Sequence, residues 1–522
     1  MSTAAIPVIT SPNRNATGTP DGHDPDAAPA TTRTWLGLGV LVLAVFIICI
    51  DATVLDLAIP AISNALAPTS TQLLWIIDVY SFIVAGLLVT MGTLGDRIGR
   101  RKLLLIGAAG FGAASALAAW STSAEMLILA RALLGVAGAT LMPSTLGLIR
   151  SMFPIARQRT TAIGIWAAMS GAGTAMGPLV GGWLLEHFWW GSVFVVNLPV
   201  MAALLVLGPI FIVESRNPNP GRFDLLSSVL SIVAIVGVVY AIKECAAHGI
   251  EAVPVAVGLV GLVVGWWFVR RQRRLDEPML DLQLFRLPAF SAGVLTNLLS
   301  MFAFAGIIFF GSQYLQTVLG FGPLGAGFLM LPGMAASIVA SLTAGSLARR
   351  LGVGVAIPLA LVTAAAGALV LLLTGVHSGE TAFLIGYVLL GSGVGVITTI
   401  TSDLVVGTAP AHRASNASGV SEMGYELGIA LGVAVLGSVL MGLYRQALDV
   451  SMLDPEQAAA ARETVSGAMH VASEDGGALG AALHESAASA FVGGMHAASI
   501  ATAVTLVVAA VVSVVLLRRG RV

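Results

Sequence analysis

Residues 35–62 read "WLGLGVLVLAVFIICIDATVLDLAIPAI", and this stretch decides the fold. It is far longer than the ~18 apolar residues that mark a membrane-spanning helix. Only Asp51 and Asp56 interrupt it with charge. The rest of the chain has the same character. Of 522 residues, 57% are hydrophobic and 10% are charged, against roughly 25% charged in ordinary soluble domains. A chain with so little solvated surface reads as a polytopic membrane protein.

Working outward, apolar segments fall at about 35–62, 73–94, 103–121, 126–149, 160–185, 192–213 and 225–243. They continue at 252–270, 289–317, 324–347, 354–375, 382–406, 414–442 and 491–517. With no water in hydrocarbon, each is expected as a helix that satisfies its own backbone. That makes an all-α membrane protein of fourteen spans. If both termini are cytoplasmic, 22 of the 26 Lys and Arg residues fall on the inner side. A miscounted span would scramble that bias. On this layout Lys243, Arg445 and Arg462 are outside, and Arg131 lies within a span.

Residues 92–99, "GTLGDRIG", are echoed at 345–352, "GSLARRLG", each at a short turn between two spans. Weak internal symmetry of this kind marks duplicated transporter halves. The expected domains are a disordered tail over 1–33, a six-helix half over 34–213, two additional helices with linkers over 214–288, and a second six-helix half over 289–522. The last includes a long outer loop, 443–490, in which two short amphipathic helices are expected around 455–473 and 478–490, separated by "EDGG".

Composition excludes several functions. Net charge is −1, so bulk charge gives no pointer to nucleic acid or acidic partners, and no nucleic-acid partner is expected. The two cysteines, Cys49 and Cys245, form no disulfide framework or metal site. The histidines are scattered, and no Ser/His constellation or metal cluster points to an enzyme. The only lysines are Lys102 and Lys243, and no phosphate-binding loop is present. No filter-like loop supports a channel, although a proton or cation channel would use the same acids.

The chemistry lies in the buried acids. Asp51, Asp56, Asp78, Glu422 and Glu426 are well inside spans, with Asp403 nearer a span end. A charge at a helix centre costs about 2.5–3.5 kcal/mol on insertion scales, so five unsatisfied acids would cost on the order of 10 kcal/mol. Arg131 cannot pair them all. The others must be neutral, hydrated, or waiting for a cation. Desolvation favours the protonated form of any carboxylic acid, so such a group can trade a proton for a cationic cargo.

Glu422 and Glu426 in "SEMGYELG" (421–428) are four apart and share one helix face. By depth, Asp51, Glu422 and Glu426 are expected to form the cargo and proton site, while Arg131 pairs with Asp78 or Asp56. Asp56, Asp78 and Tyr425 are further candidates for that site, and Asp78 and Asp56 read equally as members of a buried structural ion pair or as residues near the outer headgroups. Tyr425, Trp166, Phe302, Phe304 and Tyr314 are aromatics that either line a cavity for a delocalised cation or pack in core or lipid. Trp189 and Trp190 are expected at the membrane interface.

Several motifs resemble a known family. "GTLGDRIGRRK" (92–102) is similar to the loop motif of the major facilitator superfamily, and "LILARALLGVAGATLMPSTLGLIR" (127–150) to its fourth-helix motif. "GAGTAMGPLVGG" (171–182) and "IDATVLDLAIP" (50–60) resemble motifs of its fourteen-span drug:proton antiporter branch. "WIIDVYS" (75–81) and "EMGYELG" (422–428) are similar to Qac-, Smv- and Lfr-type multidrug exporters. The resemblance implies the major facilitator fold, with two six-helix halves and two extra central helices.

The function implied is proton-coupled export of lipophilic cationic drugs, antiseptics and dyes across a bacterial cytoplasmic membrane. Its partners would be small cations, protons and the lipid bilayer, with a proton gradient as driving force and no cofactor. Export of an endogenous antibiotic or metabolite is the alternative.

The resemblance also gives coupling or gating roles to Arg131, Asp96, Arg97 and Arg100, and to the stripe Gly173, Gly177, Pro178 and Gly181. Read from the residues alone, that stripe is a close-packing surface with a bend at Pro178. The Asp96 loop is either positive-inside anchoring or a latch, and the resemblance favours the latch. Two departures stand out. "LPGMAASIVAS" (331–341) lacks an acid that some Qac-type relatives carry, and Asp56 stands where many members are neutral.

Overall fold

A computed structural model describes residues 30–216, 224–249, 251–275, 278, 280, 282–408 and 414–519. Most of the expected 1–33 tail lies outside these residues. Among the described residues the chain is helical without strands, as backbone satisfaction in hydrocarbon requires.

The N-terminal half comprises α1 (Thr32–Leu66), α2 (Ser70–Ile98), α3 (Arg100–Ala119), α4 (Ala124–Met152), α5 (Ala156–His187), the short α6 (Ser192–Val195) and α7 (Asn197–Phe211). A hairpin follows, α8 (Leu225–His248) and α9 (Ala252–Gln272). The C-terminal half holds α10 (Pro288–Gln313), α11 (Pro323–Leu351), α12 (Val353–Val370), α13 (Glu380–Thr408) and α14 (Ala414–Ala447). It closes with α15 (Pro455–Glu463), α16 (Val465–Asp475) and α17 (Gly477–Arg519). Among these residues, 13 helices are long and apolar enough to cross a membrane, with α6 and α7 forming one span; α5, bent by 41° near its middle, makes 14 if its two parts count as one span.

The short sequence echo reflects a repeat of the whole half. α1 packs on α5, α2 on α4 and α3 on α7; correspondingly α10 packs on α14, α11 on α13 and α12 on α17. The halves meet along α2–α14 and α5–α11. The α8–α9 hairpin is not part of the repeat. Its α8 rests against both α2 and α14, and α9 packs on α8.

The bend in α5 has a local cause. Pro178 has no N–H to give the carbonyl of Thr174 one turn earlier. The Thr53 hydroxyl of α1 approaches that carbonyl to 3.3 Å and shares its one proton between it and the Cys49 and Ile50 carbonyls of its own helix, 3.2 and 3.3 Å away. It can do so because residue 177 is glycine, where a Cβ would sit 1.9 Å from Thr53 Oγ1. Gly173 and Gly181 seat the same face of α5 on Phe46 and Val54 of α1. The glycine stripe is therefore a packing surface within one half. The opposite side of α5 meets the other half, where the Pro178 carbonyl approaches Gly327 and Gly182 approaches Leu324.

The 443–490 region differs from expectation. One short helix was expected over 455–473, but the chain breaks at Thr464, whose extended backbone and side chain cap α16. The stretch 478–490 is no separate helix; it is the start of α17, which runs unbroken to Arg519. The expected turn is present at Gly476 and Gly477, with φ of 61° and 57°, values that glycine adopts without strain. Helices need not stop where hydrocarbon stops, so hydropathy marks the span and not the helix end.

Candidate functional site

α14 carries Glu422 and Glu426, and its glycines decide where they point. Gly428 and Gly432 press on α10, where a Cβ would lie 2.4 Å from the Leu298 carbonyl and 2.2 Å from that of Phe302. The glutamates thus turn away from α10. Glu426 faces Ser81 of α2. Glu422, Tyr425 and Glu426 are each only half-buried despite lying deep in their helix, so they border open internal space. Among the described residues neither glutamate has a cationic partner.

The other acids sort by partner. Asp51 is fully buried, 3.2 Å from Arg131 Nη1, and its other oxygen accepts from Asn197 Nδ2 at 2.7 Å. Asn197 also donates to Ser115 at 3.1 Å. Arg131 donates to the Ile76 carbonyl at 3.1 Å and sits 4.7 Å from the Tyr80 ring centre. The expectation that Arg131 pairs with Asp78 or Asp56 is corrected: α1 brings Asp51 to α4, and Arg131 is engaged there. Asp78 instead pairs with Lys243 of α8, at 2.7 Å with both side chains 0% exposed. Lys243 stands at the same end as Ser70 and Arg445, but it is not a solvated loop residue; packing of α8 on α2 buries it. Asp56 has neither partner, is half-buried, and shares its electrostatic neighbourhood with Arg131 and Asp78.

The aromatics divide as well. Trp166, Phe302 and Phe304 are half-buried, and Phe304 stacks on Tyr387 at 5.9 Å. Tyr314 is fully buried and donates to the Gly375 carbonyl at 2.7 Å, which makes it core. Trp189 is exposed and packs near Trp120, as an interfacial residue would.

The Asp96 loop forms a compact knot within the N-terminal half. Asp96 accepts from Arg100 Nε at 2.7 Å, and Arg100 donates onward to the Gly147 carbonyl at 2.7 Å. The Glu214 carboxylate accepts from the amides of Arg101 and Lys102 at 2.9 and 3.1 Å. It caps the positive start of α3. Gly99 has φ 111°, and a Cβ there would lie 2.7 Å from that carboxylate. Arg97 belongs to the same turn, in the last turn of α2.

Sequence reasoning missed Asn197, Ser115, Glu214 and Lys243. Lys243 was signalled by being a lone lysine in an apolar run, and Asn197 by standing alone in "VVNLPV". Among the described residues no group of three or more His, Cys, Asp or Glu could hold a metal.

Side-chain bonds between the halves gather at the α15–α16 end. Ser312 donates to the Asp56 carbonyl at 2.7 Å, and Gln316 to the Leu57 carbonyl at 3.2 Å. Glu463 accepts from the Ser70 amide at 2.9 Å and pairs with Arg445 at 3.2 Å, while Arg445 also contacts the Ser70 hydroxyl.

Known proteins share this arrangement. Among solved structures, a bacterial homologue of the human lysosomal transporter Spinster, described as inward-facing and unoccupied, superposes with a TM-score of 0.66 at 19% identity, covering 94% of this chain and 98% of that one. A nucleoside transporter, NupG, superposes with a TM-score of 0.58 at 12% identity, covering 92% and 99%. In sequence, the chain is 47% identical over 499 residues to the multidrug efflux pump LfrA of Mycolicibacterium smegmatis, covering 95% of this chain and 99% of that protein. It is 34% identical to the methyl viologen resistance protein SmvA of Salmonella typhimurium, covering 88% and 93%. It is 33% identical to a tetracenomycin C resistance and export protein of Streptomyces glaucescens, covering 94% and 93%. The family profile described as Major Facilitator Superfamily matches residues 41–433. With the repeated halves, the buried acids and this match, the chain belongs to the Major Facilitator Superfamily, and it is a multi-pass membrane transporter rather than an enzyme.

Proposed function

We propose that the protein exports lipophilic cations, such as quaternary ammonium compounds and ethidium-like dyes, in exchange for protons. The observation that carries this reading is the Glu422–Glu426 pair. Two carboxylates on one helix face border open internal space with no cationic partner among the described residues. In a low-dielectric site such a pair attracts either protons or an organic cation, and the two compete. Asp56 is a third open acid, and Tyr425, Trp166, Phe302 and Phe304 offer aromatic faces worth about 0.5–2 kcal/mol each to a delocalised cation. One proton crossing ~100 mV supplies about 2.3 kcal/mol from the electrical term, and two roughly double it.

Asp51 has a different part. Its charge is held by Arg131 and Asn197. A proton arriving on Asp51 would remove the anion that Arg131 faces. Such a buried pair suits coupling better than cargo binding. Orientation belongs to the same proposal. With the Asp96 end cytoplasmic, the α15–α16 end is outer, and the bonds between the halves close the outer gate. The Asp96–Arg100 knot and the bent, glycine-striped α5 then serve as hinge and bearing for rocking.

Relatives named for multidrug efflux and methyl viologen resistance support the cationic reading. Relatives named for tetracenomycin C export and as a probable actinorhodin transporter favour a second one, export of an endogenous antibiotic by the same mechanism. Proteoliposomes with an imposed pH gradient test the first. Ethidium should move against its gradient while protons move the other way, and Glu422→Gln with Glu426→Gln should abolish that exchange with the protein still folded. Undiminished ethidium transport by the double variant would overturn the site. A panel of neutral polyketides alongside ethidium separates the two readings.

A further inference from the structure

The α8–α9 hairpin lies outside the repeated halves, yet a buried ion pair ties it to one of them. Lys243 Nζ of α8 is 2.7 Å from Asp78 Oδ2 of α2, with both side chains 0% exposed. The same ammonium lies 4.3 Å from the Trp75 ring centre, also on α2. Two further contacts follow down the same antiparallel pair. Gly86 of α2 meets Ile232, where a Cβ would lie 2.3 Å from Cγ1. Thr90 and Ser228 join their hydroxyls. Near that end Arg271 closes the hairpin on Asp224 at 3.0 Å.

The α14 side of the hairpin is chemically different. Val239, Ala430 and Ala434 share one apolar cluster with Phe82, and Met423 packs against the cluster of Leu230 and Phe268. In lipid no hydrophobic force holds two helices together, so an apolar seam can exchange one set of contacts for another at little cost. An ion pair, a hydroxyl pair and a glycine notch cannot shift by one turn without loss.

We propose that Lys243 is the fixed counter-ion of Asp78 and straps the hairpin to the N-terminal half, so that α8 travels with α2 while α14 slides along its apolar face. Lys243 is thus a positioning residue. Asp78, held by it, is not among the acids that exchange cargo and proton. The transport readouts rest on the export reading above; the stability readouts do not.

The test uses the full chain. Lys243→Met and Asp78→Asn should each lower the melting temperature in detergent and cut ethidium efflux roughly tenfold, because each leaves one buried charge alone. The neutral double variant Asp78→Asn/Lys243→Met should recover both, to within about threefold of the parent, and Lys243→Arg should retain most activity. A double variant that regains stability but stays inactive overturns the proposal by making Asp78 a carrier. Unchanged melting temperature in Lys243→Met also overturns it.

In an active Cys49→Ala/Cys245→Ala background, a disulfide through Thr90→Cys and Ser228→Cys should leave transport intact. One through Leu230→Cys and Met423→Cys should arrest it. The reverse pattern would assign the hairpin to the C-terminal half and sink the proposal. If the parent moves no ethidium, the export reading fails, while the melting temperatures still decide the strap.

Discussion

At the residue scale, partner and not position decides what a buried acid can do. Asp51 and Glu426 both stand near the middle of their spans in sequence, yet one is locked by Arg131 and Asn197 and the other borders open space. Removing Arg131 leaves Asp51 buried without its cation, so Arg131→Met should destabilise the fold by about 3–5 kcal/mol, as loss of one partner of a buried pair does. Thermal unfolding in detergent measures it. Glu422→Gln should leave the melting temperature within a degree or so of the parent, since no ionic partner is lost, while driven export falls. A large drop in stability for Glu422→Gln would mean the carboxylate has a structural partner.

At the element scale, α5 and the hairpin carry separate predictions. Pro178→Ala returns an N–H to the Thr174 carbonyl and removes the cause of the 41° bend. The variant should be as stable as the parent or more so, and slower in transport; faster exchange would refute a hinge at that point. Gly177→Val would drive its Cβ into Thr53 and should cost about 1–3 kcal/mol as overpacking.

At the start of α8, burial pushes the Asp224 carboxyl up. The Ser227 hydroxyl and amide, with Arg271, outweigh burial and hold Asp224 below the ordinary carboxylate range. A depressed folded pKa means the contribution is present above the unfolded value, about 3.9, and is lost as pH falls through the folded one. Hydrogen exchange in the first turn of α8 should therefore quicken on acidification below that value. Asp224→Asn should remove the pH dependence.

At the scale of the whole molecule, the bonds between the halves at the α15–α16 end act as a clasp. Arg445 joins α14 to Glu463 and to Ser70 of α2, so Arg445→Gln should shift the population toward opening at that end. Spin labels at Glu186 and Gly322, beyond the Gly182–Leu324 contact, should report a longer distance. No change would place the closing energy in the helix contacts alone. The repeat also becomes visible only at this scale. Eight residues of echo at 92–99 and 345–352 stand for helix pairings duplicated throughout both halves, because symmetry of packing constrains helix placement and leaves most side chains free to diverge.

The sequence alone determined the membrane class, the helical character of the spans and the set of acids within them. Apolar length and charge scarcity follow from the solvent the chain must meet, and that requirement acts on each segment independently. The Glu422–Glu426 face was legible for the same reason, since helical period is local. What only the tertiary structure decided is which acid has a partner. Arg131 reaches Asp51 across α1 and α4, and Lys243 turns to Asp78, because contacts between helices distant in the chain depend on how those helices pack, as where Gly86 lets α8 close on α2. The α15–α16 break and the long α17 were likewise hidden, since a helix outside hydrocarbon obeys caps and packing rather than hydropathy.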